Sequence, residues 1–325
     1  MIIHPELRAL RGDDAPQRVA QAVLKQALDG WRERGQVARL LSDIDAFAAY
    51  RPIEQCPALA GLFEPGSDAA GRLTSGFMEA AGTALRQAPL GHLPLKNFTD
   101  GLVSSLLLAR SGNAALWLVA IDGAGLRRKP APVTVDFNPN ELWEHVLAGH
   151  ARAERVDGRF DAGSDALLER RAVELRPGDV SCRDAERTAL QLREVDGCLV
   201  LLRLQRRRSS AGLTREYRLS DGKLVHQAAG NPRDSRIELM MALLGRMGRA
   251  DAGPLLAAIA REDGTTALRW QALRECLALD TLSGFRALCE IARSAGDALA
   301  GPAGALRAQL VEAHPQLLEL DACPA

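Results

Sequence analysis

Histidine is a common metal ligand and a proton carrier near neutral pH, so the histidines are the first residues to weigh. His92, His145, His150 and His226 fall in the middle of the chain, with Glu144 beside His145. His145 and His150 lie in one half of a repeated stretch, and with His92 and His226 on neighbouring strands their imidazoles could form a metal site. His145 and His150 are five residues apart, so on a continuous strand they point to opposite faces unless Gly149 bulges. The plainer reading makes them satisfied or surface histidines, and the expectation is therefore no cofactor, with a divalent metal as the alternative. No nucleophile stands out. Ser75, Ser105 and Ser111 sit in no Gly-x-Ser-x-Gly context, and neither a P-loop nor a dinucleotide-binding glycine pattern is present. Arg206, Arg207 and Arg208 could hold a phosphate or an acidic partner, but three arginines on a hairpin tip read first as a solvated edge.

Composition narrows the classes. Apolar residues make up 47% and charged residues 25% of 325 residues, as in an ordinary globular protein, and the length predicts two or three domains. The formal net charge is zero, which leaves no global pull toward nucleic acid or an anionic membrane. Aromatics at 4% furnish few stacking surfaces for single-stranded nucleic acid. The positive charge is nearly all arginine, with lysine at 25, 96, 129 and 223, a bias we ascribe to a GC-rich bacterial genome. The six cysteines (56, 182, 198, 276, 289 and 323) form no CxxC pair and read mostly as small core residues, which fits a reducing cytoplasm. Met1-Ile2-Ile3-His4-Pro5-Glu6 lacks the pattern of a secretory signal, and no run of ~18 apolar residues predicts a membrane span.

The elements that would position these residues are organised around 133–204. Its first half runs from Val133 through Pro139 and Glu141 to Val156-Asp157-Gly158, and its second from Ala172 through Pro177-Gly178-Asp179 to Val195-Asp196-Gly197. Each half reads as a strand, a Pro-containing turn, a second strand and an Asp-Gly turn, the pattern of a duplicated β-unit. Before it, apolar spacing predicts helices over 15–50, interrupted at Gly35, and over 68–86, with stripes that pack on the β-domain. Leu90 to Leu95 reads as a strand, and 102–109 and 115–120 form a hairpin about Ser111-Gly112-Asn113. After it, 198–204 is expected to pair with 213–219, and Asp221-Gly222 turns into a short strand at Leu224-Val225-His226. About eight or more strands would close a two-sheet barrel. From Gly230-Asn231-Pro232 onward, short helices with short polar links predict pairs stacked as an α-solenoid.

Two resemblances follow. Glu141-Leu142-Trp143-Glu144-His145-Val146-Leu147-Ala148-Gly149 is similar to the first motif of the cupins, the double-stranded β-helix superfamily, and Leu175-Arg176-Pro177-Gly178-Asp179-Val180 to the turn that opens their second. The resemblance implies a metal site of two histidines one residue apart, a glutamate, and a histidine after the Pro-Gly turn. Here Thr134 and Asp136 stand before Glu141, and Asp184 or Arg187 stands after Pro177-Gly178, so the fold carries over without the metal ligands. The tail, with 252–261 followed by Ala267-Leu268-Arg269-Trp270-Gln271-Ala272-Leu273-Arg274 and then Asp280, resembles a HEAT-type repeat array.

The expectation is an α+β multidomain protein: a helical N-terminal module (1–88), a cupin-like antiparallel β-barrel (89–229) and C-terminal HEAT-like helical repeats (230–325). The function expected is non-catalytic binding of a small ligand or a partner protein, with a regulatory role. The partner would dock on the C-terminal repeats, and neither nucleic acid nor membrane is expected. The alternative is a metal-dependent cupin-type oxygenase or isomerase with ligands from His92, Glu144, His145 and His226.

Overall fold

The computed structural model describes residues 12–160, 165–208 and 212–321. The readings at the N-terminus, at Ser209-Ser210 and at Cys323 lie outside those residues. The chain divides into two compact units, Met1–Arg208 with Glu216–Val225, and Ser209–Arg215 with His226–Ala325. No described helix is long and apolar enough to cross a membrane.

Among the described residues, four helices open the first unit: α1 (Ala15–Arg32), α2 (Gly35–Ala48), the short α3 (Pro57–Ala60) and α4 (Ala69–Gln87). Their buried residues recur at three- and four-residue spacing, as Leu24, Leu28 and Trp31, then Val37, Leu40, Ile44 and Phe47, then Leu73, Phe77 and Ala81. Apart from Leu24, these stripes join Leu108, Leu116, Leu202 and Leu204 of the strands in one core, so the helices pack on a face of the sheet, as the spacing predicted. Trp31 meets Phe77 edge to face at 5.3 Å.

The main sheet has seven strands, β1 (Asn97–Thr99), β2 (Val103–Ser111), β3 (Ala114–Asp122), β5 (Asn140–Phe160), β6 (Ala166–Leu175), β7 (Val180–Asp184) and β8 (Thr188–Arg207). The short helix α5 (Gly123–Arg128) follows β3, and β4 (Thr134–Phe137) and β9 (Leu213–Arg218) belong to a smaller sheet. The order is β1-β2-β3-β8-β5-β6, with β7 also on β5. The long strands β5 and β8 pair antiparallel along nearly their whole length, and every other strand of the sheet is arranged about that pair. The β2–β3 hairpin turns at Gly112, as expected.

Three expectations change. Val156-Asp157-Gly158 and Val195-Asp196-Gly197 are not turns but lie inside β5 and β8. Gly158 is required by crowding, because a Cβ there would come within 2.7 Å of the Phe160 ring and 2.9 Å of the Phe137 ring. Gly197 takes φ +63°, so it bends a strand without ending it. Residues 198–204 do not pair with 213–219; they lie between β3 and β5. A run that is apolar on nearly every residue needs both faces covered, and here Leu202 and Leu204 are buried in one cluster and Leu199 and Leu201 in another. Finally, 90–95 is not a strand, and the first strand among the described residues starts at Asn97. The Pro177-Gly178 turn is present, with Gly178 at φ +91° between β6 and β7. Of the described cysteines, Cys56, Cys276 and Cys289 are buried as expected, whereas Cys182 and Cys198 are exposed.

In the second unit, α6 (Pro232–Arg246), α7 (Gly253–Arg261), α8 (Thr266–Leu279), α9 (Thr281–Arg293), α10 (Ala300–Ala313) and α11 (Leu317–Asp321) follow β10 (Leu224–Ala229). Leu256, Leu273, Phe285 and Leu288 are fully buried in its core. Buried Arg269 on α8 donates to the carbonyl of Ala260 at 2.9 Å and pairs through both terminal nitrogens with Asp297, one contact being 3.0 Å. Asp280 serves α9 instead, capping it by accepting from the Ser283 amide at 3.1 Å. Arg269→Ala would strand a carboxylate and a carbonyl, and should cost about 2 kcal/mol in urea unfolding followed by circular dichroism.

Candidate ligand cavity in the β-domain

The alternation of β5 sends consecutive side chains to opposite faces. Trp143 and Leu147 pack on the helix-covered core. His145 is 5% exposed on the same side, with its Nδ1 2.7 Å from the carbonyl oxygen of Leu62. Glu144 and Val146 face the other way, into a cavity of about 250 Å³ walled by β5, β6, β7 and β8.

Glu144 is the buried acid of that cavity, 4% exposed. Arg203 is its cross-strand partner on β8, and its Nε donates to Oε1 at 2.6 Å. Arg183 comes from β7, one step along on the same face, and donates through Nη1 to Oε2. Burial by itself pushes the Glu144 carboxyl up. The charges of Arg203 and Arg183, and the hydrogen bonds they donate, outweigh it and hold the pKa at about 2. The carboxylate is therefore ionised at neutral pH with one guanidinium on each oxygen.

At the other end of the cavity Arg155 and Arg171 are direct cross-strand partners on β5 and β6. Arg155 donates through Nε to both oxygens of Asp157, at 3.1 and 2.9 Å, and Asp157 also accepts from the Thr188 hydroxyl at 2.7 Å. The Asp157 carboxyl is held below its ordinary range, foremost by the hydrogen bond from Arg155. Two acids at the rim are engaged elsewhere. Glu174 pairs with Arg176, and Asp179 accepts from the Arg176 amide at 2.7 Å.

The structure separates most of the residues that sequence placed in a candidate site. Glu144 and His145 leave β5 on opposite faces, and His92 and His226 are exposed. Gly149 does bulge, at φ +85°, with register shifts on both sides of Ala148. The bulge changes the alternation once, so that Val146 and Ala151 share one cluster. His150 thereby returns to the side of His145 but is exposed. Among the described residues no three His, Cys, Asp or Glu side chains are grouped to hold a metal ion. The donor set does not fit one: the Glu144 oxygens face two guanidinium cations, which would repel a divalent ion, and His145 looks into the helical core. No step through a metal follows from this arrangement.

Arg206 corrects the reading of a solvated edge. It lies within β8, 9% exposed, and donates to Glu141 at 2.7 Å and to the carbonyls of Phe47 and Arg51 at 3.2 and 3.0 Å. Arg208 pairs with Asp184 and Glu186. Sequence reasoning missed Arg183 and Arg203. The available signal was an arginine inside the apolar run 199–204, which has to find a buried counter-ion.

No family model matches the chain, and no curated protein matches it. Solved structures do. Its structural neighbours include cupins. The chain is similar to a cupin superfamily protein from Desulfitobacterium hafniense, 18% identical over 34% of this chain and 83% of that one, with a TM-score of 0.22. It is also similar to the Lactobacillus farciminis oxalate decarboxylase formate complex (16% identity, 41% of this chain, 38% of that chain, TM-score 0.25) and to a 7S globulin of Momordica charantia (16%, 39%, 36%, TM-score 0.25). The chain spans little more than a third of the length of the last two. At these scores and identities the likeness says nothing about a site or an activity.

Proposed function

We propose that this is a non-catalytic, cupin-like protein whose β-domain cavity binds a small ligand, with a regulatory role. The observation that supports this reading best is the commitment of Glu144. Both of its oxygens accept from arginine, and its low pKa keeps it a poor base, so the acid a reaction would need serves as a counter-ion. The cavity, at about 250 Å³, falls just under the range of drug-sized sites, which run from ~300 to 1,000 Å³. It therefore suits a compact ligand.

A thermal-melting screen against small metabolites tests this reading. A ligand at a hundred times its Kd stabilises a protein by about 2.7 kcal/mol, a readily measured rise in Tm. The rise should vanish in Val173→Trp, which fills the cavity from β6. A ligand that stabilises both proteins equally binds elsewhere, and conversion of the ligand to a product would contradict a non-catalytic role.

A further inference from the structure

We propose that the ligand of this cavity is a small oxyanion, a carboxylate or a phosphate, held between Arg171 and Arg183; this rests on the cavity being the binding site. Cross-strand neighbours of like charge repel, and Arg155 and Arg171 are such a pair. Asp157 satisfies Arg155 by hydrogen bonds, whereas it acts on Arg171 through charge alone, and the Arg171 side chain donates no hydrogen bond among the described residues. A guanidinium carries five N–H donors. Arg183, its side chain 11% exposed, spends one on Glu144 and is itself a lining residue of the cavity. The other charges facing the space offset these two only in part. Glu144 is shared by Arg183 and Arg203, and Glu174 pairs with Arg176; Asp157 bonds Arg155 and its charge also acts on Arg171, while Asp179, hydrogen-bonded to the Arg176 amide, keeps its negative charge at the rim. Donors are left over at both ends of a small space, which is what an anion with two or more oxygens requires. Val146, Val173, Leu175 and Leu201 form the apolar part of the wall, which disfavours a large hydrated ion.

Titration calorimetry on the full chain with inorganic phosphate, succinate and the neutral isostere succinamide tests the proposal. Phosphate or succinate should bind, the tighter of the two naming the anion class, and succinamide should bind at least tenfold more weakly. Arg171→Ala should weaken the anion about tenfold or more, with Arg171→Lys between it and the unaltered protein. Arg18→Ala, which removes the same charge from α1 far along the chain, should leave affinity unchanged. Because Arg171 is exposed, its variants should keep the fold by circular dichroism. Succinamide binding as well as succinate, or an Arg171→Ala protein that binds anions undiminished, overturns the proposal and leaves a cavity for neutral ligands. Failure of all three probes to bind at ~10 mM also overturns it. The cavity reading itself fails separately, when no ligand of the wider screen distinguishes the unaltered protein from Val173→Trp.

Discussion

Glu144→Ala should destabilise the first unit by about 3–5 kcal/mol, because it leaves Arg183 and Arg203 as uncompensated charges at a buried position. Denaturant titration followed by tryptophan fluorescence would read this as a lower midpoint, Trp143 being the adjacent residue on β5. The pH dependence has a definite sign. The Glu144 carboxyl is held at about 2 in the folded protein against 4.5 ordinarily, so the folded state favours the ionised form. Its contribution, about 3 kcal/mol, is fully present above pH ~4.5 and is lost as the pH falls toward ~2. Glu144→Gln removes the charge while keeping the shape, so its stability should fall less steeply than that of the unaltered protein over that window. Equal slopes for the two proteins would show that Glu144 is not the group responsible.

Arg206→Ala should cost about 3 kcal/mol, for a different reason. The guanidinium sits 4.0 Å over the ring of Phe47 and also donates to the carbonyls of Phe47 and Arg51, at the end of α2 and just beyond it, while Glu141 balances its charge. A helix C-terminus leaves carbonyls without partners inside the helix, and a buried cation is well placed there. One side chain thus ties the second helix to β8 and β5. Arg206→Lys should recover less than half of the loss, since an ammonium reproduces neither the planar fork nor the stacking. Full recovery by lysine would mean that charge alone matters at this position.

Much of the architecture was legible because it rests on periodicity. The stripes Leu24–Leu28–Trp31 and Val37–Leu40–Ile44–Phe47 have the spacing of a helix face, and from Leu28 to Phe47 they are buried on the sheet. The run 198–204 was legible as a strand. Which strand it pairs with was not legible, because register and order depend on the closure of distant segments and local sequence carries no mark of them. The Asp-Gly pairs at 157–158 and 196–197 misled for a related reason. Glycine serves a tight turn, a bulge or a close approach of aromatic rings equally well, and only the neighbours decide among them. The site was the least legible part. His145 and Glu144 are adjacent in sequence and look like partners, yet strand alternation sends one to the helical core and the other to the cavity. The arginines that line the cavity, Arg155, Arg171 and Arg183, and Arg203, which holds its Glu144, come from four strands and share no local motif.

The most direct test of Glu144 as a counter-ion in a metal-free binding cavity is the metal content of the full chain, purified without chelator and measured by plasma mass spectrometry alongside Glu144→Gln and His145→Ala. Fe, Mn, Ni and Zn should all fall well below one equivalent per chain, with no difference among the three proteins. Stoichiometric metal in the unaltered chain, lost in either variant, would contradict that role for Glu144.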